Sequence, residues 1–207
     1  MTQILHLDVS PRSERSHSRK LAYQFISSWQ KAHVNDAILY RDIGHQALPY
    51  VNEKWVAAAF TPPENHTPEL TEELKLSEQL IEEFKACDRY VFSIPMHNFS
   101  VPAIFKSYID QIVRVNRTFK VNNLGEPSGL IHNKKMLIIT ARGGSYQPGT
   151  LTAAYDFQEP YLRTIFGFIG ITDISFIHAE NLNMGAEARV HSLEEAKIAL
   201  EKMVVSW

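Results

Sequence analysis

The sequence predicts a doubly wound α/β fold, a five-stranded parallel sheet with helices on both faces. Short apolar runs rich in branched residues alternate with longer segments of helical spacing. The runs are also nearly continuous in their apolarity, the condition of strands covered on both faces in a parallel sheet. A chain of 207 residues with 44% hydrophobic content can bury one substantial core, so one domain over residues 1–207 is expected.

The first strand is read at residues 4–9, followed by a helical face of Leu21, Phe25, Trp29 and Ala32. A second strand covers 37–40. Residues 48–66 hold Trp55, Phe60 and the breaker Thr61-Pro62-Pro63, and read as an insertion with a short helix and a loop. The next helix carries Leu70, Leu74, Ile81 and Phe84 on one face, with Thr67 as its cap and Pro68 at its first position. The third strand covers 90–94, and its helix presents Ile104, Tyr108, Ile109 and Ile112. Residues 119–133, with Asn122-Asn123, Gly125, Pro127 and Gly129, read as an irregular excursion with a hairpin. The fourth strand covers 136–140, before a helical face of Phe157, Tyr161, Leu162, Ile165 and Ile169. The fifth covers 174–177, and the last helix opens at Ser192 with Glu195 in capping-box spacing.

Composition narrows the function. With 21 basic against 23 acidic residues and a net charge of -2, neither nucleic acid nor an anionic membrane is expected as a partner. Cys87 is the one cysteine, so no internal disulfide forms, which suits the cytoplasm. The opening residues run straight into a strand without the pattern of a signal peptide, and no apolar segment nears the roughly 20 residues of a membrane span. No metal site is expected.

Ligands of an open parallel sheet bind at the carboxyl ends of its strands, where strand order reverses. Three loops there are unusual. After the first strand, Ser10, Ser16, His17 and Ser18 lead into a helix, whose N-terminus exposes unpaired N–H groups suited to a phosphate. Arg15 and Arg19 add positive charge; the alternative is that Ser16 or Ser18 merely caps the helix. The loop has neither Gly-Lys-Ser/Thr nor Gly-x-Gly-x-x-Gly, which disfavours a dinucleotide held in the Rossmann manner. After the third strand, Pro95 and Pro102 bracket Met96, His97, Asn98 and Phe99: apolar surface for a flat ring such as a flavin, and hydrogen bonds for its polar edge. His97 is expected to act mainly through its backbone. The alternative is an ordinary turn whose Ser100 caps the next helix. After the fourth strand, Ala141, Arg142, Gly143 and Gly144 precede Tyr146; paired glycines permit positive φ and a close approach of backbone to ligand, the alternative being an ordinary turn.

At these loops, and over essentially the whole chain, the sequence resembles the FMN-dependent NADH-azoreductases, flavodoxin-like homodimers also described as NADH:quinone reductases. The resemblance is carried by Ser16-His17-Ser18, Pro95-Met96-His97-Asn98-Phe99, Thr118-Phe119, Arg142-Gly143-Gly144 and the run 166–173. It implies that Ser10, Ser16, His17 and Ser18 hold the FMN phosphate, that Met96, His97, Asn98 and Phe99 bind the ring system, and that Ala141, Arg142, Gly143 and Gly144 close over its edge. The family usually has Tyr where His97 stands and often Ser where Ala141 stands, changes that backbone contacts survive. It further implies a ping-pong cycle in which NADH or NADPH reduces FMN and leaves before a quinone or azo compound takes two electrons. No dedicated catalytic residue is then expected. His97, Asn98, Tyr146 and Phe119 are the residues to test for acceptor contact, with core packing the alternative for Tyr146 and Phe119. Trp55, Phe60, Tyr155 and Phe157 are aromatic candidates for the dimer seam.

Three other readings compete. Flavodoxin electron carriers are shorter and strongly acidic. A receiver-type signalling domain would need an acidic cluster after the first strand, where Asp8 stands alone. An FAD-dependent quinone reductase differs only in its nucleotide, and the compact phosphate loop favours the mononucleotide.

Overall fold

A computed structural model describes residues 1–207. Five strands form one parallel sheet: β1 (Gln3–Asp8), β2 (Ala37–Asp42), β3 (Arg89–Pro95), β6 (Lys135–Ala141) and β7 (Asp173–Ala179), in the order β2-β1-β3-β6-β7. Strand order reverses at β1, so the crevice expected of this topology opens between the carboxyl ends of β1 and β3. Strands β4 (Phe119–Val121) and β5 (Pro127–Gly129) pair as the antiparallel hairpin expected in the excursion.

The two faces of the sheet are sorted by the two-residue period of the strands. On one face Leu5, Leu7, Phe92, Ile94 and Ile138 meet helices α3 (Pro68–Ala86), α4 (Ala103–Ile112) and α5 (Glu159–Phe168). On the other, Ile4, Val91, Leu137 and Ile139 meet α1 (His17–Ala32) and α6 (Ala186–Ser206). Each such side chain, fully buried, contributes about 1.5–3 kcal/mol relative to exposure. The central strands β1, β3 and β6 match the apolar runs; the edge strands β2 and β7 are only half covered. Helix α2 (Glu53–Phe60) and a short 3-10 turn, Pro63–Asn65, form the insertion. Thr67 caps α3 through its hydroxyl, with Pro68 at the first position, as the sequence indicates. No helix is long and apolar enough to cross a membrane.

Four expectations are corrected. Helix α6 begins at Ala186 behind Gly185 (φ 110), not at Ser192. The Ser192 hydroxyl lies inside the helix and accepts the N–H of Glu180 at 2.8 Å, so what reads as a capping box is a tie to the end of β7. Ala32, at the last turn of α1, is exposed. Phe157 lies before α5 and is exposed as well. Trp55 is buried at 9% exposure against Ala58 and Leu74, with its indole N–H bonded to Gln111 at 3.0 Å; it is a core residue and leaves the list of seam aromatics.

Candidate functional site

Where β1, β3, β6 and β7 end, a cleft of about 520 Å³ opens, within the usual size of a small-molecule site. From the first loop it is lined by Ser10, Ser16 and His17, from the third by Met96 and His97, and from the fourth by Ala141, Arg142 and Gly143. Ser18 stands directly behind, its hydroxyl 3.3 Å from that of Ser16. Asn98, Phe99 and Gly144 are not part of the lining but sit next to residues that are.

The first loop ends in the cap of α1. The Ser16 hydroxyl accepts the N–H of Arg19, and no acidic residue occupies the first turn. The N–H groups of His17 and Ser18 therefore make no bond within the chain. Arg12, Arg15, Lys20 and Arg189 also line the cleft without a carboxylate partner; Glu14 is the one acid among them. Burial, helped by Arg189, Lys20 and Arg12, pushes the His17 pKa below its ordinary value; burial and Arg12 do the same to His97. Burial disfavours charge of either sign; the part of these shifts due to Arg189, Lys20 and Arg12 is the part that favours an anion.

Arg19 does not belong to this positive surface. Its guanidinium is taken up by Asp42, Asp8 and the carbonyl of Ser10, so the charge the sequence assigned to the loop is neutralised by residues distant in the chain.

The third loop is a tight turn. His97 and Ser100 exchange both backbone hydrogen bonds at 3.0 Å, and Asn98 (φ 47) and Phe99 (φ 71) both lie in the left-handed region. Asn tolerates this conformation; for Phe it is an outlier that costs on the order of 1–3 kcal/mol. The His97 N–H is spent inside the turn, contrary to the expectation that His97 contributes through its backbone. The free amides are those of Asn98 and Phe99. Ser100 caps nothing: α4 starts at Ala103 behind Pro102, without a side-chain cap.

The fourth loop is held from below. Arg142, 2% exposed, donates to Gln158 at 3.1 Å and Asp156 at 2.9 Å and lies 3.4 Å from Glu180. Its Nη2 is buried with no partner in the chain. Glu180 also accepts the Ser145 hydroxyl at 2.8 Å and the Tyr146 N–H at 3.0 Å. Neither Gly143 nor Gly144 has positive φ, so conformational freedom is not what the pair supplies. A Cβ at Gly143 would lie 2.8 Å from the terminal amide of the exposed Asn183 side chain, which would have to swing aside. The amides of Gly143 and Gly144 make no bond within the chain.

Tyr146 stands at the rim, edge-on to Phe99 at 6.2 Å, and Phe99 also meets Tyr155 at 5.4 Å. Phe119 is elsewhere: its ring packs on Phe168 at 4.7 Å, and it does not line the cleft of its own chain. Leu182, Asn183 and Arg189 do line it, and sequence reasoning passed over them. Extending the rule of strand carboxyl ends to the last strand would have found them.

The model of a family described as having a flavodoxin-like fold matches residues 2–204. The FMN-dependent NADH:quinone oxidoreductase of Nostoc punctiforme is 58% identical over 207 residues, which is 100% of both chains. FMN-dependent NADH:quinone oxidoreductase 3 of Pseudomonas aeruginosa is 40% identical over 197 residues, 95% of this chain and 90% of that one. Among solved structures, an azoreductase from Bacillus anthracis strain Sterne superposes with a TM-score of 0.86 at 30% identity, covering 98% of this chain and 100% of its own.

Proposed function

This chain belongs to the flavodoxin-like family of FMN-dependent NADH:quinone oxidoreductases, and we propose that it passes two electrons from NADH or NADPH to quinones through one FMN held in the cleft. Aromatic azo compounds are acceptors by the same route, cleaved to amines, in keeping with the likeness to an azoreductase. The observation that carries this reading is the set of unpaired N–H groups, at His17, Ser18, Asn98, Phe99, Gly143 and Gly144, supplied by three loops around one cleft. Four of them, at His17, Ser18, Gly143 and Gly144, are buried or half-buried, and such donors left free call for a ligand rich in acceptors.

The residues present fit FMN. A phosphate matches the start of α1, the Ser10 and Ser16 hydroxyls and the four cations without a carboxylate partner. The acceptor edge of a flavin matches the amides of the second and third loops, and Met96 offers an apolar face. When bound, FMN supplies the two-electron chemistry, exchanging electrons with donor and acceptor in alternate half-reactions. The chain's part is to orient and polarise: Arg142 fixes the fourth loop, and the turn at Asn98–Phe99 would hold the ring by its free amides. His97, Asn98 and Tyr146 line or rim the space an acceptor enters.

In this reading the protein is one FMN-binding domain over residues 1–207 and works in the cytoplasm, where Cys87, its buried thiol, stays reduced. It acts as a homodimer. Phe60 is 76% exposed, and Tyr155 and Phe157 are more than half exposed, surface that a second copy covers. Phe119, remote from its own cleft, reaches an acceptor only in the cleft of that second copy.

The test is direct. Purified protein incubated with FMN should turn yellow and bleach on anaerobic addition of NADH or NADPH, then recover its colour on addition of a quinone. Protein that stays colourless with FMN overturns the reading.

A further inference from the structure

Beside the cleft, on the β2 side of the sheet, lies a charged cluster that contacts the first loop from behind. The Arg19 side chain, 11% exposed, donates from Nε and Nη2 to the carbonyl of Ser10 at 3.0 and 2.6 Å. Its other edge meets Asp42 through two bonds of 2.8 and 2.6 Å and Asp8 at 3.2 Å. Tyr40 donates its hydroxyl to Asp8 at 3.0 Å. The Asp42 carboxylate also receives the His45 N–H at 3.2 Å and the ring Nδ1 at 2.8 Å. On its far side the ring places Nε2 3.2 Å from the Ser13 hydroxyl. The carbonyl of Ser13 accepts the N–H of Ser16, the cap of α1. Gly44 closes the assembly: a Cβ there would lie 2.2 Å from the Ser10 oxygen and 2.6 Å from Arg19.

The loop is thus tied at two points. A carbonyl is the negative end of a peptide dipole, and one turned into an anion site repels the anion. Arg19 holds the Ser10 carbonyl toward β2, while the rest of Ser10 lines the cleft. His45 holds Ser13, and through it the start of α1. The ties are charge-assisted hydrogen bonds of short length, the kind that fix geometry. Burial opposes ionisation of Asp42, yet Arg19 and His45 carry its pKa down to about 2, so the pair stays ionised. Asp42 and His45 sit at or just after the end of an edge strand with no other visible work, and neither lines the cleft.

We propose that Arg19, Asp42 and His45 are positioning residues for the phosphate end of the FMN site: Arg19 and His45 bond the loop, Asp42 holds both of them, none of the three lines the cleft, and together they preset the loop for the anion. The inference rests on the reading of the cleft as an FMN site. It differs from a merely structural role in one measurable way. Riboflavin has the same ring and lacks the phosphate, so only FMN should feel the clamp.

The experiment measures dissociation constants of FMN and of riboflavin by quenching of flavin fluorescence, for the wild-type chain and for Asp42→Asn, Arg19→Lys and His45→Ala. FMN affinity should fall about tenfold in Asp42→Asn and Arg19→Lys and about threefold in His45→Ala, with riboflavin held within about twofold. His45 is a surface side chain, so its variant carries the contrast if the two buried ones do not fold. Unchanged FMN affinity in the folded variants, or equal loss of both ligands, overturns the proposal. Wild-type protein that binds no FMN overturns instead the reading of the cleft on which it rests.

Discussion

Around residues 10–18 no backbone φ is positive and the loop is held from outside by half-buried ions; around residues 97–99 the backbone is strained and exposed, and it is held by its own two hydrogen bonds and one from the Phe157 N–H to the Phe99 carbonyl. Both stretches offer free amides to the same cleft. In the proposed cycle they have different duties. A phosphate is bound once and kept, so rigidity costs that end nothing. At the other end donor and acceptor must come and go, so the surface stays open, and its shape is set by an uncommon local conformation. The lesson is that two ends of one site reach fixed geometry by different physics: long-range electrostatics at one, local sterics at the other.

The largest test asks whether the division runs deeper than the third loop. Arg142→Met removes the cation between Asp156 and Glu180 and leaves buried carboxylates unpaired, which should destabilise the protein by about 3–5 kcal/mol in urea unfolding. A loss below about 1 kcal/mol would mean that the fourth loop does not depend on its ions, and would leave such support to the phosphate end alone.

Next comes Ser16→Ala, which removes a hydroxyl that caps α1 and faces the cleft. Stability should drop by about 1 kcal/mol, and FMN affinity by about tenfold or more, the usual effect of losing a hydrogen bond to a charged group. Calorimetric titration with FMN separates the two.

Local sterics are probed at Asn98. A β-branched residue at φ 47 is strongly disfavoured, so Asn98→Val should lower stability by about 1–2 kcal/mol, while Asn98→Gly should change it by less than about 0.5. Thermal unfolding that ranks the two variants the other way would remove strain from the account of this turn.

The smallest effect is on pH dependence. His178 lies on β7 between Glu159 (2.7 Å) and Thr140 (2.7 Å), close to Arg142; burial, then Arg142, pushes its pKa below 6.5. A depressed histidine is neutral when folded, so its contribution is present above pH 6.5 and is lost as the pH falls, because the unfolded chain takes up a proton that the folded chain refuses. Asp42, held at about 2, keeps its contribution above the ordinary carboxylate range and loses it only as the pH falls toward 2. Between pH 6.5 and 4 the network around Arg142 should therefore weaken while the Arg19 clamp does not. His178→Gln should flatten the fall in melting temperature over that interval; an unchanged slope would assign the fall to other groups.

Much of this was legible in the sequence, for reasons that differ by element. The central strands declare themselves because a buried strand admits few polar residues, and α3 because Thr67-Pro68 is a local signal. The start of α6 was not legible: Gly185 begins it without a side-chain cap, and Ser192 looks like a cap while bonding to Glu180, twelve residues back. Arg19 was misread for the same reason. Its neighbours in sequence are Ser18 and Lys20, but its partners are Asp8 and Asp42, and a pairing across 23 residues leaves no local trace. The loops around Ser16, Met96 and Gly143 were found because topology says where to look. Phe119 was assigned to the cleft on resemblance alone, and a single chain does not bring it there.

Gly44 has a consequence for how this chain can change. Its φ lies outside the left-handed region that favours glycine; what excludes a side chain is the Ser10 carbonyl pressed against it. Elsewhere, replacing such a glycine with alanine stiffens the unfolded chain and tends to stabilise. Here the added methyl group would prise apart the ends of two neighbouring strands. The first two crossovers of the fold are geared together at one missing carbon, and neither can drift unless the other moves with it.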